Sequence, residues 1–126
     1  MAFESSIMKP EFEIAAPLAE ARAEKGYDTL TPVQEAVLNP ALFGRDLLVS
    51  AQTGSGKTVA FGLALAPTML QHASRLPKAE TPAALIVAPT RELALQVTKE
   101  LQWLYVPAGG RVVSCIGGVD IRDERR

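Results

Sequence analysis

The stretch "SAQTGSGKT", Ser50 to Thr58, follows directly on the apolar run "DLLV", Asp46 to Val49. Downstream comes "VAFGLALAPTML", Val59 to Leu70, which is apolar almost all round, as a well-buried helix is. An apolar strand, a glycine-rich loop and a buried helix in that order form the frame of a phosphate-binding loop. "AQTGSGKT" fits its spacing, with Ala51 in place of the first glycine. The chemistry explains the residue types. Successive backbone N–H groups must converge on one anion, and Gly54 and Gly56 allow that because they carry no Cβ. The following helix turns its free N–H groups and positive dipole end toward the same anion. Lys57 supplies a point charge for the terminal phosphates, and Thr58 offers a hydroxyl to Mg²⁺. The plainer alternative is a glycine-rich turn between strand and helix; the strand before, the helix after and the full spacing weigh against it.

Outward from this loop the chain alternates. "AALIVAP", Ala83 to Pro89, is a continuous apolar run of strand length, as in a parallel strand covered on both faces. "TRELALQVTKELQWLY" then reads as a helix, with Leu93, Val97, Leu101 and Leu104 in one stripe. "RVVSCIGG", Arg111 to Gly118, reads as a third strand ending in two glycines. Upstream, Ala15 to Lys25 forms a short amphipathic helix with Leu18 and Ala21 on one face, stopped at Gly26. "TPVQEAVLNPALFG" opens a second helix with Thr31 as N-cap and Pro32 at its first position, interrupted by Pro40. Strand–helix–strand–helix–strand implies an α/β fold, a parallel sheet with helices on its faces.

Bulk composition sets bounds. The 126 residues suffice for one small domain, and 48% of them are hydrophobic. The net charge of -1 by itself suggests no nucleic acid, but it hides a gradient. Met1 to Asp46 carries eight acids and four bases, while Leu47 to Arg126 carries six acids and nine bases. The C-terminal part therefore suits an anionic partner. A single cysteine, Cys115 in "VVSCI", excludes an internal disulfide and reads as a packed core thiol. No run approaches the roughly 18 apolar residues of a membrane helix, and "MAFESS" lacks the features of a signal peptide. The expectation is a cytoplasmic, membrane-free protein.

Three further stretches narrow what the loop serves: "GYDTLTPVQ" (Gly26 to Gln34), "APTRELA" (Ala88 to Ala94) and "GG" (Gly117 and Gly118). In this order, with "AQTGSGKT", they strongly resemble the first conserved blocks of DEAD-box RNA helicases, over Gly26 to Gly118. The resemblance implies a P-loop, RecA-like parallel sheet flanked by helices and truncated here. On that reading, residues 1–25 are an N-terminal helical extension and 26–126 the first half of the RecA-like ATP-binding domain. It implies ATP or ADP with Mg²⁺ as cofactors and RNA, single-stranded or as a short duplex, as partner. Gln34 resembles the Q-motif glutamine that reads adenine. Ala51, Gln52, Thr53, Gly54, Ser55, Gly56, Lys57 and Thr58 resemble the Walker A loop, with Lys57 and Thr58 its catalytic pair and Thr58 its metal ligand. Pro89, Thr90 and Arg91 resemble the block that grips the RNA backbone, joined by Gly117 and Gly118.

From the residues alone each piece keeps its alternative. "TPVQ" is also a capping box, with Gln34 reaching back to Thr31. Arg91 also suits an ion pair with a nearby acid, and the glycine pair also suits a turn. His72, Trp103 and Tyr105 read as packing residues. Leu30 stands where the family usually has proline, and the aromatic that stacks on adenine in the family has two candidates, Phe3 and Phe12. The family's acidic motif, serine–threonine motif and second, C-terminal RecA-like domain would follow Arg126. The expectation for the 126 residues alone is nucleotide binding without turnover. The alternatives are a non-catalytic nucleotide- or phosphate-binding module, and a DNA helicase or translocase of the same superfamily.

Overall fold

A computed structural model of the chain describes residues 14–71, 73–78 and 80–117. Phe3, Phe12, His72 and Gly118 lie outside these described residues. Among the described residues four α-helices carry the fold: α1 (Ala16–Glu24), α2 (Pro32–Val37), α3 (Lys57–Leu70) and α4 (Arg91–Tyr105), with one 3₁₀ turn at Pro40–Leu42.

Local chemistry sets the helix limits. α1 has Pro17 in its first turn and stops at Gly26, where the Tyr27 N–H reaches back to the Arg22 carbonyl at 2.9 Å. α2 starts at a complete capping box. Thr31 Oγ1 accepts from the Gln34 N–H at 3.4 Å, and the Gln34 side-chain oxygen accepts from the Thr31 N–H at 3.2 Å. Pro40 does end this helical run, and Asn39 caps the 3₁₀ turn through the Ala41 N–H. α4 is capped by Thr90, whose hydroxyl accepts from the Leu93 N–H at 3.2 Å.

α2 packs on α3, α3 on α4 and α4 on α1. The core lies between them, with Leu18, Leu38, Leu63 and Leu104 its largest fully buried side chains. Each such leucine contributes roughly 1.5–3 kcal/mol by leaving water. The stripe expected on α4 holds for Val97, Leu101 and Leu104, while Leu93 at the helix start is exposed. Gly62 makes the α3–α4 contact close. A Cβ there would stand 2.7 Å from Leu104 Cδ2 and 2.9 Å from Leu101 Cδ2. The Tyr105 hydroxyl closes the same contact by donating to the Gly62 carbonyl at 2.5 Å.

The expected sheet is where structure and sequence part. Among the described residues there is no strand, and all three apolar runs lie outside any ladder. Leu48, Leu85, Val87 and Val113 are largely exposed. An apolar run becomes a strand only when a second segment supplies its hydrogen-bond partners, and these runs do not supply one another. Cys115 shares this fate. It is exposed, not a packed core thiol, because its run has no neighbouring strand to bury it.

Candidate nucleotide and phosphate site

A single cavity of about 880 Å³ runs beneath the glycine loop. Gln34, Thr53, Gly54, Gly56, Lys57 and Thr58 line one part of it, and Ala88 and Pro89 another. The structure thus brings together the base-reading candidate, most of the loop and the start of the "PTRELA" block. Ala51, Gln52 and Ser55 belong to the loop without lining the cavity.

The loop owes its shape to its glycines. Gly54 and Gly56 have φ of 81° and 82°, the left-handed region that L side chains rarely adopt. Gly56 is also the N-cap of α3, so Lys57 and Thr58 begin the helix. Their N–H groups have no intrahelical acceptor by the geometry of a helix start. The Lys57 ammonium folds back and donates to the Ala51 carbonyl at 2.6 Å, across the mouth of its own loop. Thr58 is half-buried in the first turn. Among the described residues no group of three or more His, Cys, Asp or Glu is gathered as a metal site.

Gln34 is buried, at 6% exposure, and serves two structures at once. Its oxygen completes the α2 cap, while its Nε2 donates to the Gly56 carbonyl at 3.3 Å. The capping reading of "TPVQ" is therefore correct as geometry, and the same side chain touches the phosphate loop.

At the other edge, the Arg91 Nη2 donates to the Gly117 carbonyl at 2.9 Å. This joins the start of α4 to Gly117, and among the described residues Arg91 makes no ion pair with an acid. Pro89, Thr90, Arg91 and Gly117 are all exposed.

Two cavity residues escaped the sequence reading. Tyr27 lines it from the loop after α1, and its ring lies 5.7 Å from that of Trp103, tilted by 59°. The Lys25 ammonium sits 5.5 Å over the same Trp103 ring. Arg22 lines the cavity from α1 and is buried, at 7% exposure. A signal for it existed: Leu18, Ala21 and Arg22 stand at i, i+3 and i+4, so they share one helix face.

No described helix is long and apolar enough to cross a membrane.

Comparison with known proteins gives a consistent result. Residues 31–126 match the DEAD/DEAH box helicase family. DEAD-box ATP-dependent RNA helicase 53 of Oryza sativa subsp. japonica is 45% identical over 85 residues, 68% of this chain and 14% of its own length. ATP-dependent RNA helicase CshA of Listeria monocytogenes is 40% identical over 116 residues, 92% of this chain and 21% of its own length. Among solved structures, the RNA helicase Prp28 from Chaetomium thermophilum bound to ADP superposes with a TM-score of 0.76 at 39% identity. That match covers 92% of this chain and 28% of the Prp28 chain. The chain spans about a fifth or less of the length of these two curated relatives. With the Gln34 cap, the glycine loop and the Arg91 edge in this order, all within the matched residues 31–126, the chain belongs to the DEAD/DEAH box helicase family.

Proposed function

We propose that residues 26–126 are the nucleotide- and RNA-phosphate-binding half of the first RecA-like domain of an ATP-dependent RNA helicase. The observation that supports this reading is the Gln34–Gly56 hydrogen bond, which holds the Gln34 amide against the glycine loop beside a cavity of about 880 Å³. Gln34 reads adenine, donating to one ring nitrogen and accepting from the exocyclic amine. Gly54 to Thr58 cradle the phosphates, and Lys57 exchanges the Ala51 carbonyl for a terminal phosphate oxygen. Thr58 would hold Mg²⁺ through its hydroxyl, and the ion would neutralise phosphate charge. Pro89, Thr90, Arg91, Gly117 and Gly118 meet the RNA backbone, where the exposed start of α4 suits an anion.

Taken alone, these 126 residues bind nucleotide without turning it over. Hydrolysis requires an oriented water and a metal held from two sides, and of the residues named above only Thr58 offers a metal ligand. Titration with a fluorescent ADP tests the site. Wild type should bind, and Lys57→Ala should bind about tenfold or more weakly, the loss of one charge-assisted contact. Equal affinities would reduce the loop to a turn.

A further inference from the structure

The loop from α1 to α2 leads to Gln34, and one side chain of α1 holds it. Among the described residues Arg22 is the one charged side chain that is buried, at 7% exposure. Its own carbonyl accepts from the Tyr27 N–H at 2.9 Å, and its Nη2 donates to the Thr29 carbonyl at 3.0 Å. Arg22 thus grips the loop on either side of Asp28. Among the described residues, the bond to Thr29 is the only hydrogen bond made by the backbone of Asp28, Thr29 and Leu30. The guanidinium is costly where it stands, because its Nε is buried without an acceptor among the described residues. For packing alone, an apolar side chain of similar volume serves as well or better. What such a side chain cannot supply is the hold on Thr29.

That hold reaches Gln34 through the backbone. Just beyond Thr29, the Thr31 N–H donates to the Gln34 side-chain oxygen at 3.2 Å, while the Gln34 Nε2 donates to the Gly56 carbonyl at 3.3 Å. These bonds decide where the acceptor end and the donor end of the amide stand. Each end keeps capacity for a ligand: a second lone pair on the oxygen and a second N–H on the nitrogen. Adenine offers a ring acceptor beside an amine donor, whereas guanine offers a ring acceptor beside a carbonyl. An amide held in one orientation tells the two apart, and an amide free to swing does not.

We propose that Arg22 is a positioning residue for base selection: by holding the Thr29 carbonyl it fixes Thr31, and through Thr31 the orientation of the Gln34 amide. Arg22 itself touches neither base nor phosphate. This rests on the nucleotide reading above and adds to it the group that keeps its base reader aligned.

Three ligands separate the base from the phosphates. ADP, GDP and inorganic pyrophosphate are each used to displace a fluorescent ADP from the chain, as wild type, as Arg22→Met and as Arg22→Gln. Methionine keeps much of the packing volume and removes the unpartnered Nε together with the charge. Glutamine keeps a polar group but ends short of the position of Nη2. Wild type should prefer ADP over GDP. Both variants should narrow that ratio about fivefold, the worth of one neutral hydrogen bond between Gln34 and the base. Both should bind pyrophosphate as wild type does, which a general weakening of the fold would not allow. A folded variant of either kind that keeps the wild-type ratio overturns the proposal. So does a loss that falls equally on all three ligands. A folded wild type that binds ADP and GDP alike, or neither, overturns the adenine reading of Gln34 itself and removes this inference with it.

Discussion

The Gln34 side-chain amide donates to the Gly56 carbonyl at 3.3 Å, and a Cβ on Gly56 would stand 2.5 Å from that same nitrogen. The α2 cap and the α3 cap are thus in contact through a single side chain. Whatever moves Gly56 to admit a phosphate is felt at Gln34, and so at the start of α2.

Gly56→Ala should damage both ends of this contact. The φ of 82° costs an L residue about 1–2 kcal/mol, and the new methyl displaces the Gln34 amide. A lower melting temperature together with weaker ADP binding is the expected result. A variant that melts like wild type would show that the loop relaxes freely.

Gln34→Ala separates cap from base reader. Loss of the capping box should cost roughly 1 kcal/mol in thermal stability. If the amide also reads adenine, the preference for ADP over GDP should shrink in the same variant. An unchanged ADP-to-GDP ratio would leave Gln34 as a cap alone.

Arg91→Ala addresses the other edge. Its hydrogen bond to the Gly117 carbonyl disappears, and one phosphate contact goes with it on the proposed reading. Fluorescence anisotropy with a short single-stranded RNA should show weaker binding and a salt slope shallower by about 1. An unaltered slope would remove Arg91 from the RNA surface.

Tyr105 predicts a pH dependence. Burial holds its hydroxyl well above the ordinary value of 10.0, since the anion is disfavoured inside the fold. With the folded pKa raised, its stabilising contribution is full below pH 10 and is lost as pH rises from there through the folded value. Urea melts above pH 10 should therefore show wild type losing stability faster than Tyr105→Phe. At neutral pH the same variant should lose only about 0.5–1.5 kcal/mol, the worth of one hydrogen bond. Parallel pH profiles would place the titration elsewhere.

The helices and their ends were legible because their signals are local. Thr31 with Pro32, Thr90 with the stripe behind it, and Gly26 after α1 each act within a few residues. The glycine loop was legible for the same reason. The fold class is supported by the family match and by the likeness to the Prp28 helicase, yet the described residues form no ladder, because a strand is a relation between two segments and hydropathy describes each one separately. "VVSCI" and "ALIVA" are apolar enough to be strands, yet Val113, Leu85 and Val87 face solvent. Cys115 was misread by the same step. Arg22 carried a local signal that went unused: its place one turn after Leu18 puts it inside.

α3 begins at Lys57, and α4 begins at Arg91 behind its cap Thr90. The two helices share one seam, where Gly62 admits Leu101 and Leu104 and takes the hydroxyl of Tyr105. A methyl added at Gly62 would have to push the tips of Leu101 and Leu104 aside. A ligand that displaces the start of either helix must therefore carry its companion along or part the two. Occupancy at one helix start becomes a load on the other, equal in both directions.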